Sequence, residues 1–134
     1  MISRTKSAIG HLSLAHLTLP TQHVEKTAAF LETTLGFPRD PIPDNSPVDA
    51  VWLNIGGGQQ MHVFFVEGFE LSTHEGEFGR HVALFYRRER MAGLKEQLRS
   101  LGAETFEPLR ASLNERFFFR EPVNGYIFEI IARD

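Results

Sequence analysis

The feature that most constrains this chain is an internal repeat whose matched residues lie 65 to 67 positions apart. His16, in Leu14-Ala15-His16-Leu17-Thr18-Leu19, is echoed 65 residues on by His81, in Gly79-Arg80-His81-Val82-Ala83-Leu84-Phe85-Tyr86. Gly36 recurs at Gly102 and Gly58 at Gly125, at spacings of 66 and 67. Four residues past the latter two glycines lie His62 and Glu129, again 67 apart. The matched positions differ in kind, being strand histidines, helix stops and hairpin turns. Chance does not produce that easily, so each half is expected to build the same supersecondary unit.

Local signals say what the unit is. Residues 12–19 are mostly apolar and read as a strand. Pro20 is expected to end it, because proline donates no ladder hydrogen bond. Thr21 is a candidate N-cap. Val24, Ala28, Leu31 and Leu35 then make a helical stripe, and Gly36 sits where a glycine stops a helix. Residues 38–49 carry four prolines among aspartates and read as loop. Ala50–Ile55 and Gln60–Val66 form a hairpin across Gly56-Gly57-Gly58, and 67–80 is a linker. The second half repeats the order. A strand is expected at 81–87 and a helix at 88–101, with Met91, Leu94, Leu98 and Leu101 on one face. Further strands are expected near 104–107, at 116–120 and at 126–132, the last two joined by a turn at 121–125. The twelve phenylalanines include Phe64-Phe65 and Phe117-Phe118-Phe119, which point to strands covered on both faces.

Composition excludes several classes. The 134 residues, 42% hydrophobic, fit one domain, whereas either half alone is marginal. A net charge of −3 offers no basic stripe for nucleic acid and little attraction to an anionic membrane. There are no cysteines, so disulfides, thiolate metal sites and a cysteine nucleophile are ruled out. A metal would have to be held by His, Asp, Glu or Gln, which suits Fe(II), Zn, Ni, Mn or Co. No run is long and apolar enough to span a membrane. Met1–Gly10 lacks the apolar core of a secretory signal. A cytoplasmic protein is expected.

The repeat pairs His16 with His81 and His62 with Glu129. Glu129 lies between Phe128 and Ile130 in an apolar strand, and burying it unpaired would cost several kcal/mol. A metal would remove that cost. So would an ion pair with Arg120 or Arg133. Two histidines and one carboxylate from separate strands form a facial triad with open positions, and His62 would make a fourth ligand. His11, His23 and His74 read as surface residues, and Arg87-Arg88-Glu89-Arg90 as a solvated helix start.

Together these pieces resemble the vicinal oxygen chelate superfamily. That superfamily includes glyoxalase I, type I extradiol dioxygenases, fosfomycin resistance proteins and metal-free bleomycin resistance proteins. The resemblance rests on His16-Leu17-Thr18-Leu19 with the helix ending Leu35-Gly36-Phe37, on Gln60-Met61-His62-Val63-Phe64, on His81-Val82-Ala83-Leu84, and on Pro122-Val123-Asn124-Gly125-Tyr126-Ile127-Phe128-Glu129. It implies an α+β fold of two tandem βαβββ modules forming a curved mixed sheet around a cavity, with module one at about 12–67 and module two at about 80–132 of a single domain, 1–134. It implies metal-ligand roles for His16, His81 and Glu129. His62 stands where four-ligand members place Glu or Gln. The implied activity is that of a metal-dependent enzyme on a small oxygen-bearing substrate, either a lyase or isomerase, with Glu129 or metal-bound hydroxide as base, or a ring-cleaving dioxygenase. The alternative is a metal-free protein sequestering a hydrophobic or aromatic compound. A homodimer is expected, its sites built within one chain or shared between two.

Overall fold

A computed structural model describes residues 11–134, so the expectation for Met1–Gly10 lies outside the described residues. Module one runs β1 (His16–Thr21), α1 (Val24–Leu35), β2 (Arg39–Asp40), β3 (Ala50–Gly56) and β4 (Gln59–Phe65). Module two runs β5 (Val82–Arg87), a 3-10 turn (Arg88–Arg90), α2 (Met91–Ser100), β6 (Glu104–Phe106), β7 (Arg116–Arg120) and β8 (Ile127–Arg133). The strand orders are β1-β4-β3-β2 and β5-β8-β7-β6. In each sheet the first strand pairs parallel with the last, and the remaining pairs are antiparallel. The expected pair of βαβββ modules is therefore present, and its two mixed sheets have identical topology.

Alternation divides each sheet into two faces. In the first, Leu19, Val51, Leu53, Met61 and Val63 are buried with Ala28, Phe30 and Leu31 of α1. In the second, Phe117, Phe119, Phe128 and Ile130 join Met91, Leu94 and Leu98 of α2 in the same core. Phe30 and Phe119 meet across the modules with ring centroids 6.2 Å apart. Truncating a fully buried member such as Leu31 to alanine would cost about 2–5 kcal/mol. The helices thus cover one face of each sheet and leave the opposite face to the histidines.

Four local expectations are corrected. Pro20 does not end β1 but lies inside it, paired with Phe64. β1 is an edge strand, where the missing N–H costs no ladder bond on the open side. Thr21 is not the helix cap. His23 occupies that position without a side-chain capping bond, and the Thr21 hydroxyl instead accepts from the His23 N–H at 2.9 Å. Loop 38–49 contains the two-residue strand β2. Phe117, Phe118 and Phe119 are buried as expected, whereas Phe65, at the end of β4, is 37% exposed.

Polar bolts join the modules. Asn124 receives the Thr21 hydroxyl at 2.6 Å and donates to Thr27 at 2.9 Å. Tyr126 donates its phenol to Pro20 O at 2.7 Å. Burial and nearby carboxylates push that phenol up to about 12, so it stays a donor. Buried Glu121 accepts from the backbone N–H groups of Val123, Asn124 and Tyr126, which fixes the β7–β8 turn.

Candidate metal centre

His81 immediately precedes β5, and Glu129 lies on β8, where Ala83 is its Cα partner. His81 Nε2 stands 3.1 Å from Glu129 Oε1. On its other side, His81 Nδ1 lies 3.0 Å from Gly76 O. A carbonyl only accepts, so Nδ1 carries a proton there. In neutral His81, Nε2 is then a lone pair aimed at an ionised carboxylate, which also only accepts. The 3.1 Å contact therefore needs a second proton on His81, a proton on Glu129, or a cation between them. A backbone carbonyl on the far nitrogen is also how metal-bound histidines are commonly oriented. The donor pair fits a divalent cation.

The turn that supplies Gly76 O depends on one glycine. Gly79 N–H bonds Gly76 O, and Arg80 N–H bonds His74 O at 2.8 Å. A Cβ on Gly79 would lie 1.7 Å from His74 O, so no larger residue fits this approach.

The second Glu129 oxygen is taken by Arg116, whose Nη1 lies 2.8 Å from Oε2. Arg116 is buried, and its Nη2 bonds Arg110 O and lies 3.7 Å from Glu77. Burial opposes the charge on Glu77. The Leu109 and Arg110 N–H groups and the Arg116 charge outweigh it, holding the carboxyl below its usual range. The expected partners Arg120 and Arg133 are engaged elsewhere, Arg120 with Glu104 and Arg133 over the Phe85 ring. Arg116 is the residue that sequence reasoning missed. Its only signal was a charge directly before three phenylalanines.

On the first sheet, His16, His62 and Trp52 form a three-ring stack from β1, β4 and β3. The His16 and His62 centroids are 3.9 Å apart with 13° between planes. His62 and Trp52 are 4.0 Å apart at 3°. Gln60 Nε2 donates to Asp40 at 2.8 Å, leaving Oε1 to face His62 Nε2 at 2.8 Å. His62 Nε2 is therefore a donor, and only its Nδ1 offers a lone pair. Burial, and then the neighbouring His16, lower the His62 pKa and keep it neutral at pH 7.

The four residues singled out from the sequence thus form two pairs, His16 with His62 and His81 with Glu129. His16 and His81 line one cavity of about 350 Å³ between the β1 and β5 edges, with Arg80 and Tyr126. Among the described residues, no three His, Asp or Glu side chains converge tightly enough to hold a metal. His11, His23 and His74 are exposed, as expected.

Solved structures share this architecture. A glyoxalase family protein from Bacillus anthracis aligns over 92% of this chain and 96% of its own, at 19% identity and a TM-score of 0.73. A FosX fosfomycin resistance protein variant from Listeria monocytogenes aligns over 91% and 92%, at 20% identity and a TM-score of 0.73. That protein was crystallised with manganese(II) and a dihydroxypropylphosphonic acid. FosX from Mesorhizobium loti aligns over 91% and 92%, at 16% identity and a TM-score of 0.67. At these identities the likeness is one of fold. Comparison with curated protein sequences gave no significant match. The model of one family spans nearly all the described residues, matching 13–130, and the chain accordingly belongs to the glyoxalase/bleomycin resistance protein/dioxygenase superfamily.

Proposed function

We propose that this protein is a metal-dependent enzyme in which His81, Glu129 and His16 hold a divalent cation that meets a small oxygen-bearing substrate. The observation that carries this reading is the 3.1 Å contact between His81 Nε2 and Glu129 Oε1, which needs a proton or a cation once Gly76 O accepts from Nδ1. The manganese in the FosX structure supports a cation for this fold. Fe(II), Zn, Ni, Mn and Co all suit the nitrogen and oxygen donors. When bound, the ion would polarise a substrate oxygen as a Lewis acid, serving either lyase or isomerase chemistry or ring cleavage.

The chain's own residues have separable roles. Gly76 O orients His81. Arg116 balances the Glu129 charge and holds its far oxygen, so Oε1 alone faces the site. For Glu129 to act as a base it must do so through that same oxygen. Phe118 walls the second sheet, edge-on to His81 and stacked on Phe106. Trp52 and Phe64 flank His62 on the first. We further propose a homodimer in which His16 of a second copy completes each site, since His16 is exposed and turned towards His62 in its own chain. A single domain over 1–134 and a cytoplasmic location belong to the same reading, and the core shared by the two halves supports the first of these.

One observation favours a second reading. The buried Arg116 already neutralises Glu129 without a metal, as a protein that merely binds flat apolar compounds would require. Metal content separates the two. After reconstitution with Zn, Ni, Mn or Fe(II), the wild-type protein is expected to retain about one ion per chain. His81→Ala and Glu129→Gln should lose it. Wild-type protein that retains none of the four would sink the enzyme reading in favour of the binding protein.

A further inference from the structure

We propose that Trp52, His62 and Gln60 are positioning residues that clamp the His16 imidazole, with His62 serving as the spacer of the clamp and making no bond to the metal. The consequence for metal binding rests on the function proposed above. The clamp itself rests on the stack alone.

His16 begins an edge strand, is exposed, and follows residues with no regular structure. An imidazole so placed would populate several rotamers, and ordering it costs free energy. Here it lies against His62 at 3.9 Å, and His62 lies against Trp52 at 4.0 Å, with 13° and 3° between the respective planes. The register brings the rings together partly across and partly on the diagonal. Trp52 on β3 is the direct Cα partner of His62, whereas on β1 that partner is Thr18, and His16, two residues earlier on the same face and opposite Gln60, reaches His62 diagonally.

His62 is itself prevented from turning. Phe64 meets its ring edge-on, and Gln60 Oε1 takes its Nε2 proton. Asp40 decides which end of the Gln60 amide faces His62, because a carboxylate accepts only the amide N–H. Nε2 is therefore committed inside the sheet. The position at which a fourth ligand was expected is occupied by a ring doing mechanical duty for the first.

The test uses two substitutions that separate a flat ring from a metal-binding nitrogen. His62→Phe keeps the ring and removes both nitrogens, whereas His62→Ala removes the spacer. Trp52→Leu removes the backing ring and serves as an independent variant should His62→Ala fold poorly. The first readout is the NMR shift of the His16 ring protons in metal-free protein, moved upfield by the stacked rings. The second is zinc(II) affinity by calorimetry. Wild type and His62→Phe are expected to share the upfield shift. Zinc affinity in His62→Phe should stay within about threefold of wild type, against a loss of about 10- to 100-fold in His62→Ala and Trp52→Leu. Equal losses in His62→Phe and His62→Ala would mean that His62 is a ligand and would overturn the proposal. So would unshifted His16 protons in the wild type. Should wild-type protein bind no zinc, nickel, manganese or iron(II), the enzyme reading falls, and the NMR comparison alone upholds or overturns the clamp.

Discussion

Arg116 shows what one unanticipated side chain changes. The carboxylate of Glu129 was recognisable as uncomfortable between Phe128 and Ile130, but its partner was not. Arg116 pairs with Ile131 and lies two residues from Phe118, the Cα partner of Glu129, so it shares the Glu129 face only once the strands are in register. Arg116→Met is expected to leave Glu129 uncompensated and to cost about 3–5 kcal/mol, read from urea unfolding midpoints at pH 7. Adding Glu129→Gln should recover much of that loss. A single variant as stable as wild type would mean that the pair contributes nothing. His62 makes a separate claim. Its folded pKa is lowered, so the unfolded chain binds its proton first as the pH falls. Its contribution is complete above the ordinary histidine value of about 6.5 and declines as the pH drops from there towards the folded value. Wild type should therefore lose stability relative to His62→Phe between neutral pH and about pH 5. Parallel stability curves for the two proteins over that range would contradict the shift.

At the scale of elements, most of the chain was legible because apolar periodicity and glycine placement do not depend on tertiary context. Helix α1 closes at Gly36, whose φ of 76° suits glycine, and the β3–β4 and β7–β8 turns fall on the repeated glycines. What escaped depended on neighbours. Pro20 is tolerated because β1 has an open edge, a fact of strand order. The strand β2 exists because Arg39 and Asp40 find Leu53 and Trp52 across from them, though the prolines around it read as loop. His16, His62, His81 and Glu129 were singled out through the repeat, whereas the ring stack, the His81–Glu129 contact and the Gly76 carbonyl needed coordinates. The 74–80 turn carries the prediction at this scale. Gly79→Ala would put a methyl into His74 O, so the turn must open and withdraw Gly76 O from His81. The expected outcome is a zinc affinity about 10-fold or more below wild type, with a much smaller change in the urea midpoint, because the turn is outside the core. An unchanged nitrogen-15 signature of His81 in this variant would show that the carbonyl does not set its tautomer.

At the scale of the whole molecule, the proposed second copy would cover the two site faces. The helix-facing sides of both sheets are sealed in one core, while Phe85 is 60% exposed on β5 and Leu14, two residues before His16, is 51% exposed. Burying each such side chain in an interface is worth roughly 1.5–3 kcal/mol, enough for a handful to hold a dimer together. A twofold dimer would bring β1 of one copy to β5 of the other twice, making two equivalent sites. Mixing tests this directly. His16→Ala keeps His81 and Glu129, and Glu129→Ala keeps His16, so neither homodimer should hold zinc tightly. If each site takes His16 from one copy and His81 with Glu129 from the other, a mixed dimer has one intact site and one doubly deficient site. Random exchange makes half the dimers mixed, so zinc capacity should recover to about a quarter of wild type. Native mass spectrometry would establish that mixed dimers have formed. Mixed dimers without any recovered zinc would place all three ligands within one chain, and the cavity between β1 and β5 of a single copy would then be the metal site.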